Sequence, residues 1–251
     1  MIGKQVNTPE NKTSPLVKLL FFLLAFSLWF LIDRAAILLA DIFLAGSFKY
    51  TWLMAHHGIQ IVLALAVMAL PLWGRRFSDW GLNLKNSPET INLLVKFTLG
   101  WVLFTTIFTL VSQWLLGWPP LLDFTLNFEN ILIYLVFESI VVGVSEELVF
   151  RGLVFGVLEP IYRKEIRFPG FTLSLAGVIT ALFFALAHIG FQLSPFAITA
   201  FAPVQIFMAF ALGIFYAVMR ERTGSLLGPI LAHNISDGWL SILYIVIQQI
   251  A

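Results

Sequence analysis

Seven runs of apolar residues dominate this sequence, each long enough or nearly so to cross a bilayer: 16–44, 51–72, 91–116, 131–158, 171–189, 196–219 and 225–250. A hydrocarbon core of about 30 Å needs about 20 residues of helix at 1.5 Å each. The breaks carry turn chemistry, such as Gly46-Ser47, Pro169-Gly170, Ser194-Pro195 and Thr223-Gly224, with longer links at 74–88 and 117–120. Only 12% of residues are charged, about half the share that covers a soluble domain. The sequence therefore predicts an all-α, polytopic transmembrane helical bundle with about seven spans.

Basic residues supply an orientation. Lys4, Lys12 and Lys18 flank the first run, and Arg75, Arg76, Lys85 and Lys96 lie around the link between the second and third. Arg163, Lys164 and Arg167 sit between the fourth and fifth, and Arg220 and Arg222 between the sixth and seventh. The other links are almost free of Lys and Arg, so the charge alternates from side to side. This places the N-terminus in the cytoplasm and the C-terminus outside. A polar tail at 1–15 precedes the first run without the pattern of a cleavable signal. One membrane-embedded domain over 1–251 is expected, in a bacterial plasma membrane or a plastid membrane.

The net charge of +1 offers no clustered basic face, so no nucleic-acid partner is expected. Membrane lipids are the expected surroundings, and no oligomeric state is legible. The absence of cysteine excludes disulfides, thiolate catalysis and cysteine-ligated zinc. Asp33 and Arg34, inside the first run, are expected to neutralise each other within one long tilted helix. His56 and His57 read as interfacial residues near the outer end of the second.

Charged groups at bilayer depth are costly unless paired or hydrated. The fourth run holds Glu146 and Glu147, which point about 100° apart on a helix and cannot do one job on one face. Glu147 and Arg151, four apart, share a face as an internal ion pair, leaving Glu146 the freer carboxylate. His188 closes the fifth run, and His233 and Asp237 lie one turn apart in the seventh. Carboxylates and imidazoles on three helices form an acid/base or metal-ligand set if they converge. By residue count their depths differ by roughly 12 Å, which tilt or uneven insertion must absorb.

The pattern Glu146-Glu147-x-x-x-Arg151, Phe184-x-x-x-His188 and His233-Asn234-x-x-Asp237 resembles the CPBP family, which comprises type II CAAX prenyl proteases and bacteriocin-processing intramembrane proteases. The resemblance covers a motif core at 137–243. It implies a helical bundle around a membrane-embedded site, Glu146 as catalytic glutamate and His188 as its partner on a water. It assigns His233 and Asp237 to oxyanion stabilisation or metal binding. Family members of known structure carry Asn where Asp237 stands, and an ionised carboxylate repels an oxyanion. Asp237 is therefore expected to be protonated, to orient His233 or to bind a metal, and Asn234 offers an amide donor in its place.

No Gly-x-Ser-x-Gly and no His-Glu-x-x-His occurs, which turns the chemistry toward activation of water. Either Glu146 and His188 deprotonate the water directly, the favoured version, or Glu146, His188 and His233 hold a divalent metal such as zinc that does so. The expected activity is intramembrane hydrolysis of a hydrophobic or lipidated peptide. A non-catalytic scaffold or bacteriocin-immunity protein of the same fold is the alternative, and a proton-coupled transporter a weaker one.

Overall fold

The computed structural model describes residues 13–115, 117 and 122–250. Lys4 and Lys12, most of the polar tail, and most of the 117–120 link lie outside the described residues. Helix α1 (Pro15–Leu44) starts under a Ser14 cap whose side chain accepts from the Val17 N–H, and it runs unbroken past Asp33 and Arg34. Arg34 Nη2 lies 2.5 Å from Asp33 Oδ2, the expected neutralisation. Helix α2 (Lys49–Met68) returns, and α3 (Ser87–Trp114) follows two short 3₁₀ turns.

The fourth apolar run becomes a rod over residues 128–158. It comprises α4 (Phe128–Val136), a π-helical stretch (Phe137–Val141), α5 (Val142–Glu147), a second π stretch (Leu148–Val154) and α6 (Phe155–Leu158). Residues 147–158 are all buried, as befits a helix apolar on every side. Trp29 of α1, Ala64 and Met68 of α2, and Phe183 pack around it. The outer helices instead turn large apolar side chains outward: Leu31 and Leu38 on α1, and Leu99 and Leu103 on α3, are all at least 60% exposed. Such surface is stable only against lipid.

The fifth and sixth runs depart from continuous spans. Strands β1 (Glu165–Phe168) and β2 (Phe171–Ser174) form an antiparallel hairpin, and only then does α7 (Leu175–Leu186) begin, capped by Ser174. A second hairpin, β3 (Gly190–Leu193) with β4 (Phe196–Ala200), precedes α8 (Pro203–Thr223). Hydropathy counted the apolar strand residues as helix, because periodicity cannot tell a short apolar strand from a helical turn. At 12 residues, α7 rises about 18 Å, short of a full crossing. Helix α9 (Leu227–Ile250) closes the fold. Among the described residues, five helices (α1, α2, α3, α8 and α9) are single elements long and apolar enough to cross a membrane. The bundle is thus all-α apart from two small hairpins.

Gly224, at φ +67, ends α8 in the left-handed conformation that favours glycine. The turn after it is sunk into the protein: Ser225 is fully buried and Leu226 is 1% exposed. The α2–α3 link covers this turn, with the Leu226 N–H donating to the Gly81 carbonyl (2.8 Å) and Asn83 Nδ2 to the Gly224 carbonyl (3.0 Å). Helix α9 therefore starts below the surface.

Candidate active site

Glu147 and Arg151 are both fully buried, with Arg151 Nη1 2.9 Å from Glu147 Oε1. The guanidinium also donates to the Gly213 carbonyl from Nη2 (3.1 Å). It lies over the rings of Phe184 (4.3 Å) and Tyr216 (5.3 Å). These carbonyl and π partners replace part of the hydration the dry pair gives up, while Glu147 Oε2 and Arg151 Nε have no hydrogen-bond partner among the described residues. Arg151 thereby ties the rod to α7 and α8.

His233 sits at the centre. Its Nδ1 is 2.9 Å from Glu147 Oε1, and its Nε2 is 3.2 Å from Asp237 Oδ2 and 3.7 Å from Glu146 Oε2. Tyr216 stacks on the ring at 5.1 Å, and its hydroxyl meets Ser236 Oγ at 3.1 Å. An ionised carboxylate only accepts, so with Glu147 and Asp237 both ionised the ring satisfies them only as the doubly protonated imidazolium.

Glu146 points elsewhere, as the 100° offset requires: its side chain is 19% exposed where that of Glu147 is at 0%. His188 falls in the turn just beyond α7, rather than inside a span, and is half-buried. Its Nδ1 is 2.8 Å from the Phe184 carbonyl. A carbonyl cannot donate, so Nδ1 carries a proton, and in the neutral tautomer that fits this bond the lone pair is on Nε2. His188 and Glu146 lie within electrostatic reach of each other. The structure thus brings Glu146, His188, His233 and Asp237 together from the rod, the α7 turn and α9.

Both ends of the Asn234 amide are engaged with backbone, although Nδ2 keeps a second hydrogen to donate. Its Oδ1 accepts from the Gly143 N–H (3.1 Å) and its Nδ2 donates to the Ile140 carbonyl (3.3 Å). It satisfies backbone next to the π stretch, where the regular ladder is interrupted, and clamps α9 to the rod. A side chain on Gly143 would collide with Asn234, and one on Gly238 would come 2.6 Å from Ser139 Oγ. Two glycines thus allow the close helix approach that small residues give in membranes.

The donor set does not fit a metal in this arrangement. Both ring nitrogens of His233 face carboxylates, and among the described residues no three His, Asp or Glu side chains group as cation ligands.

Sequence reading missed two neighbours, Glu138 and Tyr216, and placed His56 and His57 differently. Glu138, in the first π stretch, comes within electrostatic reach of Asp237, Glu146 and His233; it was visible as one more carboxylate in an apolar run. Tyr216 carried no signal. His56 and His57 are each 7% exposed and belong to the interior, not the interface. His56 Nε2 lies 3.4 Å from Asp33 Oδ1. Gln60 Nε2 donates to the same Asp33 oxygen (3.3 Å), and Ser145, next to Glu146, donates to Gln60 Oε1 (2.9 Å). A polar chain therefore runs from α1 through α2 to the rod.

Residues 128–239 match the family described as type II CAAX prenyl endopeptidase, Rce1-like. The match takes in the rod, α7, α8 and most of α9, and so every residue of the converging set. Over this stretch, somewhat under half of the chain, the sequence is similar to that CAAX protease family, and the chain is a helical protein with helices apolar enough to cross a membrane. Among curated proteins and solved structures nothing matches.

Proposed function

We propose that the chain is an intramembrane endopeptidase that cleaves a hydrophobic or lipidated peptide with a water activated by Glu146 and His188. The carrying observation is the convergence of Glu146, His188, His233 and Asp237 beside the buried Glu147–Arg151 buttress. Glu146 takes a proton from the water while His188 Nε2 accepts a hydrogen bond from it, and the oxygen attacks the amide carbonyl. The carbonyl becomes a tetrahedral oxyanion. The positive charge on His233 supports that oxyanion, and Asp237 orients His233 rather than facing the oxyanion itself. The C–N bond then breaks as Glu146 returns the proton to the leaving amine. The alternating Lys/Arg links support a cytoplasmic N-terminus, in a bacterial plasma membrane or a plastid membrane.

The test is Glu146→Gln in purified, folded protein, scored by cleavage of a membrane peptide identified by mass-spectrometric comparison of intact and variant cells. A rate loss of about 10²-fold or more is expected, and unchanged turnover would refute the assignment.

A further inference from the structure

A cavity of about 650 Å³ lies at the arginine-rich ends of the helices and shares no residue with the candidate active site. Arg75 of the α2–α3 link, Phe155 and Glu159 at the end of the rod, Glu165 of the first hairpin and Arg220 of α8 all line it. Arg220 is 7% exposed, yet among the described residues no carboxylate comes within ion-pair distance of it. Its Nε donates to the Arg151 carbonyl (3.3 Å), and its guanidinium lies 5.5 Å from the Phe155 ring. Arg75 is held the same way, donating from Nη1 to the Gly156 carbonyl (2.7 Å) over the Trp80 ring (4.9 Å). Each arginine is fixed through one nitrogen and keeps further N–H donors for something else.

The acidic groups around the cavity are not equivalent. Glu221 accepts from the Ser174 N–H (3.2 Å), and Asp79 from the Arg76 N–H (2.8 Å). Glu159 stands 3.7 Å from Arg163. Glu165 is exposed and, among the described residues, makes no side-chain hydrogen bond or ion pair. The cavity thus presents two anchored guanidinium groups and one uncommitted carboxylate. It does so where the apolar helices end, at the depth of lipid headgroups.

We propose that this cavity binds a phosphoethanolamine group, with the phosphate on Arg75 and Arg220 and the ammonium on Glu165. Paired arginines match a phosphate's oxygens in charge and geometry, and a simple anion would leave Glu165 unmatched. The same chemistry is offered by a phosphatidylethanolamine headgroup and by soluble phosphoethanolamine.

The test uses the full chain in phosphatidylcholine nanodiscs doped with phosphatidylethanolamine or phosphatidylglycerol, with bound lipid counted by native mass spectrometry. Phosphatidylethanolamine should be retained about tenfold over phosphatidylcholine, one charge-assisted contact's worth. Arg75→Gln should lower retention of phosphatidylethanolamine at least about tenfold. Glu165→Gln, on an exposed hairpin and harmless to folding, should remove the preference over both phosphatidylcholine and phosphatidylglycerol. Retention of the doped lipid identifies a lipid headgroup. A saturable rise in melting temperature with free phosphoethanolamine in undoped discs, lost in Arg75→Gln, identifies the soluble source. Either result supports the proposal. No preference together with no melting response overturns it. So does a preference unchanged in both variants, or phosphatidylglycerol retained as well as phosphatidylethanolamine.

Discussion

Glu146 and Glu147 are adjacent and chemically identical, yet replacing each by Gln should have opposite consequences. Glu147 is fully buried between Arg151 Nη1 and His233 Nδ1, both at 2.9 Å. Glu147→Gln keeps the shape but leaves the Arg151 guanidinium, also fully buried, without a counter-charge. Removing one partner of a buried pair costs about 3–5 kcal/mol, which is a factor of about 10²–10⁴ in the unfolding equilibrium constant. Glu146→Gln changes a side chain that is 19% exposed and 3.7 Å from His233 Nε2, and, leaving no fully buried cation without its partner, should cost much less stability than Glu147→Gln. The assay is equilibrium unfolding in mixed micelles followed by tryptophan fluorescence, with Trp29 and Trp80 as buried reporters. The double variant Glu147→Gln with Arg151→Met removes the orphaned cation, and should recover at least half of the loss. Equal stabilities for the two single variants, or strictly additive losses in the double variant, would refute the buttress assignment.

Three further outcomes follow from the helix contacts. Gly238→Ala should destabilise by about 1–3 kcal/mol through overpacking against Ser139 Oγ, 2.6 Å from the added carbon, and Ser139→Gly should restore part of it in the same unfolding assay. Asn234→Ala should cost about 1–3 kcal/mol by leaving the Gly143 N–H unpaired, with cleavage by the folded fraction kept at wild-type rate. Dialysis against a chelator should leave that rate unchanged, since His233 faces carboxylates through both nitrogens; loss of activity restored by zinc would overturn the metal-free chemistry.

Much of this was legible because lipid makes hydropathy and charge unusually informative. The apolar runs became helices, and the Glu147–Arg151 pair followed from spacing alone. The hairpins were not legible: Phe171 to Leu173, and Phe196 with Ile198, are as apolar as the helices they adjoin, and pairing at Phe168↔Phe171 and Leu193↔Phe196 is decided by partners the local sequence does not reveal. His56 and His57 were misplaced for a related reason. The burial of His56 depends on α1 supplying Asp33 across the helix pair, and His57 packs edge-on between the rings of His56 and Phe137, both tertiary facts.

Glu138 shows what helical counting misses when the helix itself changes. Eight residues separate it from Glu146, which on a regular α-helix leaves the two about 80° apart after two turns. Glu138 lies inside the π-helical stretch Phe137–Val141, whose remaining residues run toward Glu146. One extra residue accommodated in a π turn makes eight residues cover about the rotation of seven, some 20° short of two full turns. That brings Glu138 to the side of the rod where Glu146 meets α9, within electrostatic reach of Asp237 and His233. The same irregularity leaves backbone groups off the regular ladder beside it, and Asn234 takes up the Gly143 N–H and the Ile140 carbonyl there. The break in the helix therefore does two things at once: it turns a third carboxylate toward the site, and it provides the polar backbone by which α9, carrying His233 and Asp237, is registered against the rod.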